Sequence, residues 1–208
     1  MPTPDFDLYL VTDRSLTQGR DLLWVLQRAL DGGVNAIQLR EKDLGGRELF
    51  FLAEAARKLT QRYHARLLIN DRIDLALAVD ADGVQLAKAS LPIETARALL
   101  GPRKLLGAST HSLEEAAEAE RNGADFVLFG PVYFTPSKAS YGSPQGLAAL
   151  KKVVEKISLP IYAIGGIKPE NIADTRRAGV QGVALISAVM SAADPEDVTK
   201  SILNLLKR

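Results

Sequence analysis

Residues 123–129 read GADFVLF: a glycine, a small and an acidic residue, then four apolar residues in a row. The same pattern, a glycine or aspartate, a polar or small step and a short apolar run, returns as GVNAIQL from Gly33, DADGVQL from Asp80 and GVQGVAL from Gly179. Each copy follows an amphipathic stretch (Asp21 to Asp31, Asp71 to Val79, Leu113 to Asn122, Asn171 to Ala178), so each marks a helix ending and a strand beginning. Midway between them lie LYLVT from Leu8, RLLIN from Arg66, KLLGA from Lys104 and PIYAI from Pro160, which makes eight strands.

Strands that are apolar nearly throughout must be covered on both faces, and alternation with helices makes them parallel. Eight strand-helix units in 208 residues suit a closed (β/α)8 TIM barrel. The alternative is an open doubly wound sheet, but the spacing stays even to the last residues and no G-x-G-x-x-G follows the first strand. No proline-rich linker or low-complexity tract divides the chain. The sequence therefore predicts one barrel domain over residues 1–208, with a last helix from about Pro195 to Leu205 closing the ring.

Composition narrows the chemistry. A net charge of +1, with 47% apolar and 25% charged residues, gives no global field to draw the chain to nucleic acid or to an anionic membrane, so neither is an expected partner. Any anionic ligand must be held by local groups. There is no cysteine, which excludes disulfides, thiolate metal sites and cysteine nucleophiles. No apolar run reaches membrane-spanning length, and MPTPDFDLYLVTD carries acids where a signal peptide carries a basic segment, so the cytoplasm is the expected compartment. Association with further copies of the same chain stays open.

In this barrel, reactive residues belong at the C-terminal ends of the strands and in the loops beyond them. In IQLREK, alternation puts Gln38, Arg40 and Lys42 on one face and Leu39 and Glu41 on the other. Arg40 and Lys42 either pair with carboxylates such as Glu41 or Asp71 or wait for an anion. LLINDR stops being apolar at Asn70 and Asp71. Gly165 and Gly166 end the seventh strand without side chains, Pro169 opens a helix, and Ser187 begins the helix after the eighth strand. Loops after strands seven and eight commonly hold phosphate in this fold, though two ordinary tight turns would read the same way. The long stretch from Gly130 to Gly146, GPVYFTPSKASYGSPQG, reads as a lid closing over a polyanion, with Thr135, Ser137 and Lys138 as donors. His111 follows Ser109 at the end of the fifth strand as an acid or base, or else belongs to the helix start that Ser112 and Glu115 would cap. His64 is read as a surface residue.

These segments together resemble the thiamine-phosphate synthase superfamily, which includes the thiazole tautomerases. The resemblance is carried by LYLVTD, QLREKD, LLINDRIDLALAVDADGVQL, GASTHSLEEAAEAERNGADFVLFGPVYFTPSK, QGLAAL, LPIYAIGGIKPENI and GVALISAV, almost the whole chain. It implies condensation of a hydroxymethylpyrimidine diphosphate with a thiazole phosphate, or its carboxylate, to give thiamine phosphate and pyrophosphate. By resemblance, Arg40, Lys42, Lys138 and Mg²⁺ meet the departing diphosphate, with Asp71 as metal ligand. Gln38 and Asn70 contact the diphosphate or pyrimidine, Ser109 sits by the pyrimidine and leaving group, Thr135 and Ser137 bind the thiazole from the lid, and Gly166, Ile186 and Ser187 hold its phosphate through backbone N–H groups.

The chain departs from the family after the fourth strand. Synthases there carry a segment like H-L-G-Q-E-D-x-P, whose final acid is a second magnesium carboxylate. Here the segment is QLAKASLP, with Gln85 for the histidine, Lys88 for the glutamine and Ser90 for the acid. Lys88 offers part of the positive charge a weaker metal site would lack. The change also resembles the tautomerases, where the histidine matching His111 shuttles a proton and no metal is needed. A third expectation is a barrel that binds thiazole or thiamine phosphate without turnover, as a regulator.

Overall fold

A computed structural model describes residues 2–136 and 142–207. All eight apolar runs are strands: β1 (Leu8–Val11), β2 (Ala36–Leu39), β3 (Arg66–Asn70), β4 (Gly83–Leu86), β5 (Leu105–Thr110), β6 (Phe126–Phe129), β7 (Ile161–Ile164) and β8 (Gly182–Leu185). Every pairing is parallel and β1 bonds both β2 and β8, so the sheet closes as a (β/α)8 barrel in chain order. Around it run α1 (Leu22–Asp31), α2 (Gly46–Arg62), α3 (Ile73–Ala78), α4 (Ile93–Leu100), α5 (Leu113–Arg121), α6 (Gly146–Lys156), α7 (Ile172–Arg177), α8 (Ser187–Met190) and α9 (Pro195–Lys207). None of these helices is long and apolar enough to cross a membrane.

Two boundaries differ from the sequence reading for local reasons. The helix expected from Asp71 begins at Ile73, because Asp71 sits in the left-handed region (φ 61°), which a right-handed helix cannot include. The helix expected from Pro169 opens as a single 3-10 turn, Pro169–Asn171, before α7.

The polar step that recurs before the even-numbered strands has a structural purpose. Asp82 accepts the Leu67 amide at 2.8 Å and Asp125 accepts the Leu106 amide at 2.8 Å, each tying the start of one strand to its neighbour. Arg57 and Arg97 answer the two charges, at 2.7 and 2.5 Å. In the same position Asn35 donates to the Asp5 carbonyl at 3.3 Å. All this lies at the N-terminal end of the barrel, which in this fold serves stability.

Alternate residues fill the barrel and face the helices. Inside, Phe6, Tyr9, Phe126 and Tyr162 form an aromatic plug with ring centroids 4.8 to 6.4 Å apart. Gly107 makes room for it: a Cβ there would lie 2.4 Å from the Phe126 ring. The Tyr162 hydroxyl donates to the Phe6 carbonyl at 2.7 Å and Gln38 donates to the Tyr9 oxygen at 3.4 Å, while burial pushes both phenols far up, so they stay protonated. Outside, Leu, Ile and Val from every strand pack against the helices, each fully buried side chain contributing about 1.5–3 kcal/mol over exposure. The plug closes the lower half of the barrel, leaving the C-terminal mouth for chemistry.

Candidate active site

Register decides which side chains meet at the mouth. Gln38 pairs with Leu68 and Val11, Asn70 with Gln85, Gln85 with Gly107, and Ser109 with Leu128. Gln38, Asn70, Gln85 and Ser109 therefore follow one another around adjacent strand ends, with Arg40 and Lys42 one and three residues beyond the end of β2.

Of the two readings of Arg40 and Lys42, the unpaired one holds. Among the described residues, no carboxylate lies within 4 Å of either cation. Their neighbour Glu41 turns the other way, is 4% exposed, and accepts the Arg14 amide with both oxygens at 3.2 and 3.1 Å. Burial pushes the Glu41 carboxyl up, opposed by hydrogen bonds from Thr12 and from the Arg14 amide. Thr12 in turn accepts the Arg40 amide at 2.8 Å. Asp13, Arg14, Ser15 and residues 40–43 line an open recess of about 250 Å³.

Asp71 is the carboxylate at the end of β3, and its backbone is strained. A non-glycine residue in the left-handed region costs about 1–2 kcal/mol, although Asp tolerates it better than most. The surroundings impose it: one carboxylate oxygen accepts the Ala87 amide at 3.0 Å and the Ser90 hydroxyl, and the other accepts the Asn70 side-chain amide at 2.7 Å. Ser90, where an acid was expected, thus stands directly against Asp71 and holds it. Lys88 does not turn inward. It pairs with Glu115 at 2.7 Å, and Glu115 also accepts the His111 amide at 2.7 Å.

His111 stands at the capped helix start that the sequence offered for it. Ser112 accepts the Glu115 amide at 3.2 Å and caps α5. The His111 ring meanwhile sets its Nδ1 at 2.5 Å from the Gly130 carbonyl. A carbonyl only accepts, so Nδ1 donates, and in a neutral ring Nε2 has a lone pair that no described residue takes up. Gln85 was not among the expected site residues, yet it is 1% exposed, donates to Ser109 at 3.1 Å, and its oxygen has no partner among the described residues. Its inward place in the alternation of GVQL was the available signal. His64 is exposed, as expected.

At the other side of the mouth, Gly165 and Gly166 adopt φ of 94° and 65°. What approaches them is the chain's own lid. A Cβ on Gly165 would lie 2.5 Å from Pro131, and one on Gly166 would lie 2.5 Å from the Phe134 carbonyl. Val132 and Tyr133 donate to the Ile164 and Gly165 carbonyls at 2.9 and 3.0 Å, and Gln145 and Gly146 return to Pro131 and Val132 at 2.8 and 3.0 Å. Both feet of the loop are therefore fixed. Thr135 is part-buried on the near side, while Ser137 and Lys138 lie outside the described residues. Among the described residues, no acceptor takes the amides of Gly166, Ile186 or Ser187.

A substitution at Gly166 tests this packing. Gly166→Ala should cost about 1–2 kcal/mol from backbone strain alone, a fall of about 2–8 °C in Tm for a domain this size, read by thermal denaturation. An unchanged Tm would contradict both the left-handed backbone at Gly166 and the close approach of Phe134 to it.

Comparison with known proteins now has a geometry to meet. The sequence profile described as Thiamine monophosphate synthase matches residues 8–189, from the first residue of β1 into α8. The chain belongs to the thiamine monophosphate synthase family. A relative from Geobacter sulfurreducens is 52% identical over 99% of this chain and 97% of its own. The thiamine-phosphate synthase of Syntrophomonas wolfei is 45% identical over 100% of both chains. Among solved structures, the thiamine phosphate pyrophosphorylase from Pyrococcus furiosus superposes with a TM-score of 0.89 at 42% identity, covering 97% of this chain and 96% of that one. In this member of the thiamine monophosphate synthase family, the mouth of the barrel brings together, among the described residues, unpaired cations beyond β2, a clamped carboxylate beyond β3 and amides without acceptors beyond β7 and β8.

Proposed function

We propose that the protein is a thiamine-phosphate synthase, a transferase that joins the methylene carbon of a hydroxymethylpyrimidine diphosphate to the nitrogen of a thiazole phosphate and releases pyrophosphate. The observation that carries this reading is the pair Arg40 and Lys42, which stand at the barrel mouth and which no described carboxylate neutralises. Unpaired cations in such a place call for an anionic ligand.

In the reaction, the carbon–oxygen bond to the diphosphate breaks and its electron pair leaves on oxygen. The thiazole nitrogen then gives its lone pair to the resulting carbocation and becomes the positively charged thiazolium; with a thiazole carboxylate, carbon dioxide is lost as well. Arg40, Lys42 and Lys138 hold the charge that grows on the leaving group, where fixed cations are worth most. Gln38 and Asn70 orient the diphosphate and pyrimidine, and Ser109, itself oriented by Gln85, lies beside them. Thr135 and Ser137 cover the thiazole from the lid, and the amides of Gly166, Ile186 and Ser187 receive its phosphate.

The donor set suits magnesium carried largely by phosphate oxygens. Asp71 would hold it. Three hydrogen bonds occupy part of a carboxylate with about four lone-pair sites, so one direction stays open, and magnesium is often bound through one carboxylate plus phosphates and water. No cluster of three or more ligating side chains occurs among the described residues, in keeping with a metal that arrives with its substrate. When bound, it neutralises the departing diphosphate.

The free Nε2 of His111 favours one second reading, proton transfer on a thiazole carboxylate phosphate. A pyrophosphate-release assay separates the two. Release that needs both substrates supports the synthase. No release, together with isomerisation that disappears in His111→Ala, supports the tautomerase, and neither activity with retained thiazole phosphate binding leaves a regulator.

A further inference from the structure

We infer that Glu41 is a positioning residue, whose buried carboxylate clasps the turn after β1 to the end of β2 and so fixes Arg40 and Lys42 at the mouth. The inference rests on the reading of those two cations as the diphosphate site. Glu41 lies between them in sequence and yet meets neither.

A buried carboxylate is costly, so what it holds is informative. The Glu41 side chain is 2% exposed, and its two oxygens share one donor, the Arg14 amide, at 3.2 and 3.1 Å. The Arg14 side chain reaches back only to 3.7 Å and spends its far end on Asp43. The amide belongs to the 3-10 turn Arg14–Leu16, which Asp13 caps by accepting the Ser15 amide at 3.1 Å. On the other side, Thr12 lies beside the Glu41 carboxyl and accepts the Arg40 amide at 2.8 Å. The run Arg14, Glu41, Thr12, Arg40 therefore crosses from one loop to the next through two buried side chains, Glu41 and Thr12. Past its last ladder residue, Leu39, β2 has no sheet of its own to hold it. The clasp supplies that support, and the alternation that turns Glu41 in turns Arg40 and Lys42 out.

The test uses inorganic pyrophosphate with Mg²⁺ as probe and calorimetry as readout, with thiazole phosphate titrated separately. Its sign is decisive. If Glu41 acted only through its charge, Glu41→Ala would remove a negative group beside two cations and tighten pyrophosphate binding. A positioning role predicts the reverse: pyrophosphate affinity falls about tenfold while thiazole phosphate affinity stays within about twofold. Tighter or unchanged pyrophosphate binding, or an equal loss for both ligands, overturns the inference. Should Glu41→Ala fail to fold, Thr12→Val removes the acceptor of the Arg40 amide at nearly constant volume. It is expected to weaken pyrophosphate alone, and unchanged binding there is equally fatal. Wild-type protein that binds no pyrophosphate would refute the synthase reading itself, a separate result from a failure of Glu41.

Discussion

Asp71→Asn should lower the rate of thiamine phosphate formation by about 10²–10³-fold, the usual consequence of losing one electrostatic stabiliser of developing charge, here the magnesium that Asp71 would hold. The substitution is chosen to change little else. Asn tolerates the left-handed backbone at φ 61° as well as Asp does, and its amide oxygen can still accept from Ala87 and Ser90. Only the negative charge and one hydrogen bond, that from Asn70, are altered. Steady-state kinetics over a magnesium titration gives the answer, with Tm as the control for folding. Activity within a few-fold of wild type at ordinary magnesium concentrations would remove Asp71 from the metal site.

The second large effect is on stability. Asp125→Ala should cost about 3–5 kcal/mol, because it leaves a part-buried guanidinium without its counter-charge and a buried amide without its acceptor. The Asp125 side chain is 1% exposed, pairs with Arg97 at 2.5 Å and accepts the Leu106 amide at 2.8 Å. Arg97 is otherwise spread over the carbonyls of Gly101, Lys104 and Gly123, so one deletion loosens the start of both β5 and β6. Tm should fall by about 6–20 °C. Asp125 lies at the end of the barrel away from the mouth, so kinetic constants of the folded variant should match wild type. A Tm within about 2 °C would show that the recurring acid is not a tie between strands.

The barrel was legible because parallel strands buried on both faces leave long apolar runs that sequence alone displays, and eight of them were in place from Leu8 to Leu185. The purpose of the polar step before those runs was not. Asp82 and Asp125 meet amides 15 and 19 residues away, and that distance carries no local signal. At the mouth, alternation along IQLREK correctly separated Glu41 from Arg40 and Lys42. It could not supply the partner of Glu41, which comes from the turn after β1, 27 residues earlier. Asp71 and Ser90 were both singled out, one as a ligand and one as a missing ligand. That the serine grips the aspartate depends on a left-handed turn at Asp71 that composition does not announce. Lys88, whose charge was expected near the metal, is drawn to Glu115 because the helix start beside it offers a nearer carboxylate.

The central claim is a condensation, and the most direct test is to look for its product. Purified protein incubated with hydroxymethylpyrimidine diphosphate, thiazole phosphate and Mg²⁺ should yield thiamine phosphate by mass spectrometry, in step with pyrophosphate and only when both substrates are present. The absence of thiamine phosphate above background at high protein concentration would contradict the assignment.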